Sequence, residues 1–384
     1  MTRLAMICDF PQEGWHSMNL YAAQLLHAVY QGQAADVHAE RISPDMVRFA
    51  SRWQSFNSRP LWNLDRLVNR HVRYPLALRG VAERFEVFHV VDQSYAHLLH
   101  SLPPGRTVVT CHDIDVFRSV LDPECDVRPW WYRKIAQHIL EGFRRAAHVC
   151  CVSKATREDL LRFRVVPAER ISVVYNGVSS TFRPDPPSTG ELSFDHLLAP
   201  RGSYIELLHV GSTIPRKRIE FLLRTFAALY HKNPKVRLLR VGGSLSASQA
   251  VLAGDLGIAD AVITLPYLED AMLAALYRRV SLCLQTSSAE GFGLPVAEAL
   301  ACGCSVVATD LPVLREIGGR AAHYCAIDNV GEWVNTISLL LELAQHSPGH
   351  WHSLQQENAA HGARFCWEET ARQTTEIYRR LANG

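Results

Sequence analysis

The chain has 384 residues, 48% hydrophobic and 20% charged, with a net charge of +2. That length accommodates two domains, each with its own core. The near-neutral balance, with no accompanying nucleic-acid motif, excludes a nucleic-acid partner, and no apolar run reaches the roughly 18 residues of a membrane-spanning helix. The first residues, from Met1 to Asp9, read directly as a strand rather than a signal peptide. Ten cysteines are scattered without a C-x-x-C pair, so no zinc site is expected and a reducing cytoplasm fits. Apolar runs predict strands at 4–8, 87–91, 107–111, 148–152 and 171–175. A second set follows at 205–210, 236–241, 261–265, 280–284 and 305–308. Helical stretches separate most of them, which implies parallel sheets covered on both faces and two doubly wound α/β domains. Between the sets, Arg183-Pro-Asp-Pro-Pro-Ser-Thr-Gly190 cannot sit in a helix or a central strand. The expected division is 1–182, a linker over 183–202, and 203–365. A last helix is expected near 368–381, with Ala371, Thr374, Ile377, Tyr378 and Leu381 at helical spacing.

The stretch Glu290-Gly-Phe-Gly-Leu-Pro-Val-Ala-Glu298 carries the most chemistry. It reads as a strand end, a glycine loop and a helix start. Gly291 and Gly293 let backbone approach a ligand, and Pro295 suits the first helical turn. Glu298 falls one turn into the helix, where its positive end favours a carboxylate. Ionised carboxylates accept only, so Glu290 and Glu298 match pairs of hydroxyls on a sugar or a ribose.

A second motif, His209-Val-Gly-Ser-Thr-Ile-Pro-Arg-Lys-Arg218, also follows a strand. Arg216 and Lys217 are expected in the first turn of the next helix, where they oppose its dipole. A diphosphate would account for them, because both side chains stabilise charge on phosphate.

The segment 286–310 resembles the E-x7-E signature of the retaining glycosyltransferases of family 4. Val152-Ser153, Val174-Tyr-Asn-Gly-Val178, His209-Val-Gly211, Leu239-Arg-Val-Gly-Gly243 and Phe365-Cys-Trp-Glu368 follow in that family's order, so the resemblance covers most of the chain. It implies the GT-B fold, two Rossmann-like domains facing a central cleft, with 366–384 packing back on the first. The donor then binds mainly to the second domain and the acceptor to the first. Glu298 would hold the ribose hydroxyls. Glu290, Gly291 and the backbone N–H groups of Phe292, Gly293 and Leu294 would hold the donor sugar. Lys217 and Arg216, beside Gly211 and Ser212, would stabilise the leaving diphosphate. His112 would reach the sugar from the first domain beside Asp113, and Gly14 would let a helix N-terminus approach the diphosphate. Backbone from Leu265 through Tyr267 to Leu268 would read the base. The family's arginine after the glycine is Ser212 here, which leaves Arg216 or Arg218 to replace its charge.

The resemblance implies transfer of a hexose, mannose or glucose, from a donor such as GDP-mannose or UDP-glucose to a glycan or lipid-linked acceptor. It implies no metal, although Asp113-Ile-Asp115 also forms the D-x-D that holds a divalent ion in the other large glycosyltransferase fold. Residues 41–84 carry nine arginines, interleaved with Trp53, Phe56, Trp62 and Tyr74, and Arg128-Pro-Trp-Trp-Tyr-Arg-Lys134 repeats the mixture. Such a surface predicts peripheral contact with an anionic membrane at its cytoplasmic face. Two other readings are a catalytically silent GT-B nucleotide-binding partner and a Rossmann-type epimerase or oxidoreductase. The latter requires G-x-G-x-x-G after the first strand, and Phe10-Pro-Gln-Glu-Gly-Trp-His16 lacks it.

Overall fold

The computed structural model describes residues 2–31, 36–51, 59–186, 194 and 197–383, apart from the side chains of His16 and Arg59. Arg52, Trp53, Phe56, residues 187–190 of the proline-rich stretch, and 191–193, 195 and 196 of the expected linker lie outside the described residues. The chain divides into two units, Met1–Gly177 with Trp367–Gly384, and Val178–Cys366. The change of unit at Val178 precedes the proline-rich stretch.

The first unit holds a six-stranded parallel sheet of β1 (Thr2–Ile7), β2 (Val37–Ile42), β3 (Val87–Val90), β4 (Thr107–Cys111), β5 (His148–Cys151) and β6 (Ile171–Val173), in the order β2-β1-β3-β4-β5-β6. Alternate residues feed two cores. Ala5, Ile7, Phe88, Val90 and Val109 pack on one face, and Leu4, Met6, Val87, Val108 and Cys150 on the other. This double burial produces the near-continuous apolar runs. The helix Trp367–Asn383 closes the second face with Ala371, Ile377 and Tyr378. A buried polar chain locks it down. The Tyr378 hydroxyl meets His89 Nδ1 at 2.6 Å, His89 Nε2 meets Thr110 Oγ1 at 2.7 Å, and Tyr21 reaches the same threonine at 2.9 Å. Burial lowers the His89 pKa to about 3, so the ring is neutral within this network.

The second unit holds β7 (Ile205–Val210), β8 (Val236–Val241), β9 (Val262–Leu265), β10 (Leu282–Gln285), β11 (Ser305–Thr309) and β12 (Ala322–Cys325), all parallel, in the order β12-β11-β10-β7-β8-β9. The chain runs outward from β7 through β8 to β9. It then crosses back to lay β10 on the other side of β7. The strand order reverses between β7 and β10, and crevices at such a reversal, beyond the carboxyl ends of the strands, receive ligands.

Two strands escape the apolar-run criterion, β2 and β12. Both are sheet edges. Val-His-Ala-Glu-Arg-Ile in β2 alternates buried and more exposed positions, and only the two end residues of β12 are buried. An edge strand is covered less completely than a central one, so its sequence need not be uniformly apolar, although the other two edges, β6 and β9, still carry apolar runs.

Candidate active site

At the reversal of the second sheet, β10 and β7 each release a turn, and the two turns are tied together. After β10 the chain reads Thr286-Ser287-Ser288-Ala289-Glu290. After β7, Pro215–Lys217 forms a short 3-10 turn. The Ser288 N–H donates to the Arg216 carbonyl at 2.8 Å, and the Thr286 hydroxyl to the Lys217 carbonyl at 3.0 Å. Arg216 and Lys217 therefore precede the helix Ile219–Lys232 rather than occupy its first turn. Pro215 opens the 3-10 turn, and Arg218, left-handed at φ 53°, separates it from the helix. The expected clash with the helix dipole does not arise.

Glu290 is the hub. Lys217 Nζ lies 2.5 Å from its Oε1, and Arg216 Nη1 lies 3.1 Å from its Oε2. Gln285 and Ser287 donate to Oε1, each at 2.7 Å. Burial pulls the carboxyl upward, but Lys217, Arg216 and these hydrogen bonds outweigh it and hold Glu290 below its ordinary value. Arg218 takes no part. Its guanidinium pairs with Asp328 and stacks on Phe221. Of the two candidates for the missing cation, only Arg216 joins Lys217.

The helix Leu294–Ala301 begins after Gly293, whose φ is 89° and whose missing Cβ would stand 2.6 Å from Leu314 Cδ2. A side chain there would need both a strained backbone and a displaced leucine. Phe292 is buried edge-on against Phe365. Glu298 does not behave as a solvated helix-start acid. It is buried, and the Tyr277 hydroxyl donates to its Oε2 at 3.1 Å. Burial, with Asp270 nearby, outweighs that bond and pushes its pKa up to about 8. Tyr267 is an exposed ring after β9, while Leu265 is buried at the end of β9. Sequence reading passed over Gln285, Ser287 and Tyr277. Gln285 did leave a signal, as a polar residue closing an otherwise apolar strand.

Gly211 ends β7. A Cβ there would meet His209 Cε1 and the Lys217 side chain, each at 3.3 Å, while Ser212 is exposed.

In the first unit, Gly14 is left-handed at φ 74°, closes the turn Pro11–Glu13, and has open space where a Cβ would be. His112 is buried, with its ring edge-on to Tyr21. Its Nε2 donates to the Val91 carbonyl at 2.9 Å. Burial lowers its pKa, so the ring is neutral and Nδ1 keeps the lone pair that can accept a hydroxyl. Asp113 Oδ1 accepts from Gln93 Nε2 and from the Asp115 N–H, each at 3.0 Å, and Asp115 pairs with Arg118 at 3.3 Å. Both acids of the D-x-D are thus engaged. Among the described residues, no group of three or more histidines, cysteines or acids is placed to hold a metal ion. Asp9 and Asp92 follow β1 and β3, where the first sheet reverses. Burial, then the neighbouring Asp92, holds the Asp9 carboxyl well above the usual carboxylate range.

Residues 205–343 match the model of "Glycosyl transferases group 1", and residues 25–182 match that of "Glycosyltransferase Family 4". The serotype-specific mannosyltransferase WbdA of Escherichia coli is 26% identical over 304 residues, covering 72% of this chain and 34% of its own length. A D-inositol 3-phosphate glycosyltransferase of Thermobispora bispora is 30% identical over 233 residues, covering 57% of this chain and 53% of its own. This chain therefore spans about a third to a half of those relatives. Among solved structures, sucrose-phosphate synthase from Thermosynechococcus elongatus superposes with a TM-score of 0.76 at 20% identity, covering 99% of both chains. Anabaena HepE in complex with UDP and glucose superposes with a TM-score of 0.74 at 17% identity, covering 99% of this chain and 100% of its own. The chain has the GT-B fold, with two Rossmann-like domains, and is a glycosyltransferase built of a Glycosyltransferase Family 4 domain followed by a Glycosyl transferases group 1 domain.

Proposed function

We propose that the protein is a retaining glycosyltransferase that moves a hexose, mannose or glucose, from a nucleotide-diphosphate sugar to a glycan or lipid-linked acceptor. The observation that carries this reading is the cluster of Lys217, Arg216 and Glu290 at the β7–β10 reversal, with Glu298 on the helix that follows. An ammonium has three donors and a guanidinium five. Contact with Glu290 therefore leaves both cations able to bind a diphosphate. Glu290 and the backbone N–H groups at the start of the helix Leu294–Ala301 accept and donate to sugar hydroxyls, and Glu298 takes the ribose. The relatives named above as mannosyl- and inositol-phosphate glycosyltransferases support the reaction class, and HepE with UDP and glucose supports the donor class.

In the reaction, the bond between the anomeric carbon and the phosphate oxygen breaks. The acceptor oxygen bonds to the same face, and its proton passes to the departing phosphate oxygen. Lys217 and Arg216 stabilise the charge that develops on the diphosphate, so the step draws on side-chain cations instead of a metal. The acceptor is brought by peripheral contact of the first unit with an anionic membrane, at the cytoplasmic face. The test is a thermal-shift screen of GDP-, UDP- and ADP-sugars, followed by an assay for sugar transfer or donor hydrolysis. Stabilisation by one donor class together with turnover is expected. No shift with any of them would sink the reading.

A further inference from the structure

Arg240 is the penultimate residue of β8 and is fully buried. Its strand neighbours Leu238, Leu239 and Val241 are apolar, as a central strand demands. No carboxylate offsets its charge among the described residues, and burial alone depresses its pKa. Such a charge is expensive to keep, and a residue that breaks a local rule in this way is expected at a functional or strained site.

Its shortest contact falls on the Gly211–Ser212 peptide. Nη2 donates to the Gly211 carbonyl at 3.1 Å, Nη1 makes a longer contact of 3.5 Å with the Gly243 carbonyl, and Nε is buried without a partner. Gly242 packs its backbone against the same peptide, since a Cβ there would lie 2.5 Å from the Gly211 oxygen. Across the sheet, His209 pairs in register with Arg240, and both its ring nitrogens are buried without partners. Burial, then the charges of Arg240 and Lys217, keeps that ring neutral. Glu290 is the carboxylate here, and it is already shared by Lys217 and Arg216. The positive charge under Gly211 is thus in excess.

In a planar trans peptide the C=O and N–H point in opposite directions. With Arg240 on the Gly211 carbonyl, the Ser212 N–H points away from the core, and Ser212 is exposed. A hydrogen bond to the carbonyl also strengthens the N–H as a donor.

We propose that Arg240 is a positioning residue for the diphosphate: it aims and polarises the Ser212 N–H through the Gly211–Ser212 peptide, and it supplies from below the charge that the Ser212 side chain lacks. This inference rests on the reading of Lys217 and Arg216 as the diphosphate cations.

The test uses the full chain and whichever of GDP, UDP or ADP stabilises it most. Arg240→Met should weaken that nucleoside diphosphate at least tenfold by calorimetry. The corresponding nucleoside, followed by ligand-observed NMR, should change less than twofold. The melting temperature should hold or rise, because an unpaired buried charge has gone. Diphosphate affinity within twofold of wild type, or an equal loss for nucleoside and diphosphate, would overturn the proposal. If Arg240→Met does not fold, Arg240→Gln decides: it keeps a donor but no charge, and a diphosphate-selective loss of at least threefold is expected. An equal loss, or none, again overturns it. Lys217→Ala separates the two levels. If it too leaves diphosphate affinity intact, the site reading itself fails; if it weakens binding and Arg240→Met does not, only the role of Arg240 fails.

Discussion

Lys217 Nζ and Glu290 Oε1 stand 2.5 Å apart, and that contact joins the turn after β7 to the turn after β10. Both side chains are nearly buried, at 10% and 7% exposure. The pair therefore has a structural and a chemical consequence, and a substitution separates them.

With Lys217 in the proposed role of stabilising the leaving diphosphate, Lys217→Ala should lower turnover by at least about a hundredfold. It also leaves Glu290 buried with fewer partners. Breaking a buried pair costs about 3–5 kcal/mol. Arg216, Gln285 and Ser287 stay on Glu290, so the loss should lie at or below the lower end of that range. The double variant Lys217→Met with Glu290→Gln should recover most of the melting temperature and none of the activity. Near-normal turnover in Lys217→Ala would remove Lys217 from the chemistry.

Glu298 gives stability a pH signature. Its carboxyl is raised from 4.5 to about 8 by burial, with Asp270 adding to the rise and the Tyr277 hydrogen bond opposing it. Between those values the folded chain holds a proton that the unfolded chain has lost. Its contribution to stability therefore falls as pH rises from about 4.5 to about 8, by at most about 1.4 kcal/mol per pH unit, and levels off above. Glu298→Gln has no such dependence. Relative to wild type it should be more stable at pH 7.5 than at pH 5.5, which paired thermal melts would show. A difference that does not change with pH would mean Glu298 is ionised throughout.

Much of this was legible in the amino-acid order, for identifiable reasons. Central strands such as β4 and β10 are covered on both faces and read as apolar runs. Edge strands β2 and β12 are not, and went unread. The loop Gly291–Leu294 announced itself through glycine and proline, residues with few other uses in such a turn. The partners of the two acids did not. Tyr277 lies 21 positions before Glu298, and Gln285 and Ser287 look like ordinary strand-end residues until the turn brings them onto Glu290. Arg216 and Lys217 were read one element too late because the left-handed Arg218 carries no sequence mark that distinguishes it from a first helical residue.

The aspartates of Asp113-Ile-Asp115 are occupied by local structure. Asp113 receives Gln93 and the Asp115 N–H, and Asp115 holds Arg118. A divalent ion would have to displace those bonds, while in the proposed reaction Lys217 and Arg216 supply the positive charge. Activity should withstand EDTA, and Asp115→Asn should leave turnover within about twofold, as expected of an exposed pair worth under about 1 kcal/mol. Loss of activity in EDTA with recovery in manganese would reverse this assignment.

Membrane contact should depend more on aromatic side chains than the arginine count suggests. Arg70 is turned inward onto the Tyr95 ring and Ser94, Arg66 pairs with Glu13, and Arg84 with Glu40. These charges are partly neutralised within the unit. Trp130 and Trp131, at the start of the helix Trp130–Arg144, are 77% and 53% exposed, and Leu64, Leu67, Val72 and Leu76 are exposed along 59–78. Tryptophan settles at a bilayer interface through its amphipathic ring. Flotation with anionic liposomes should fall several-fold in the double variant Trp130→Ser, Trp131→Ser, and about 0.5 M salt should reduce it less than that substitution does, because screening acts on charge and not on buried apolar area. Flotation abolished by salt yet untouched by the tryptophan substitutions would place the contact on the arginines instead.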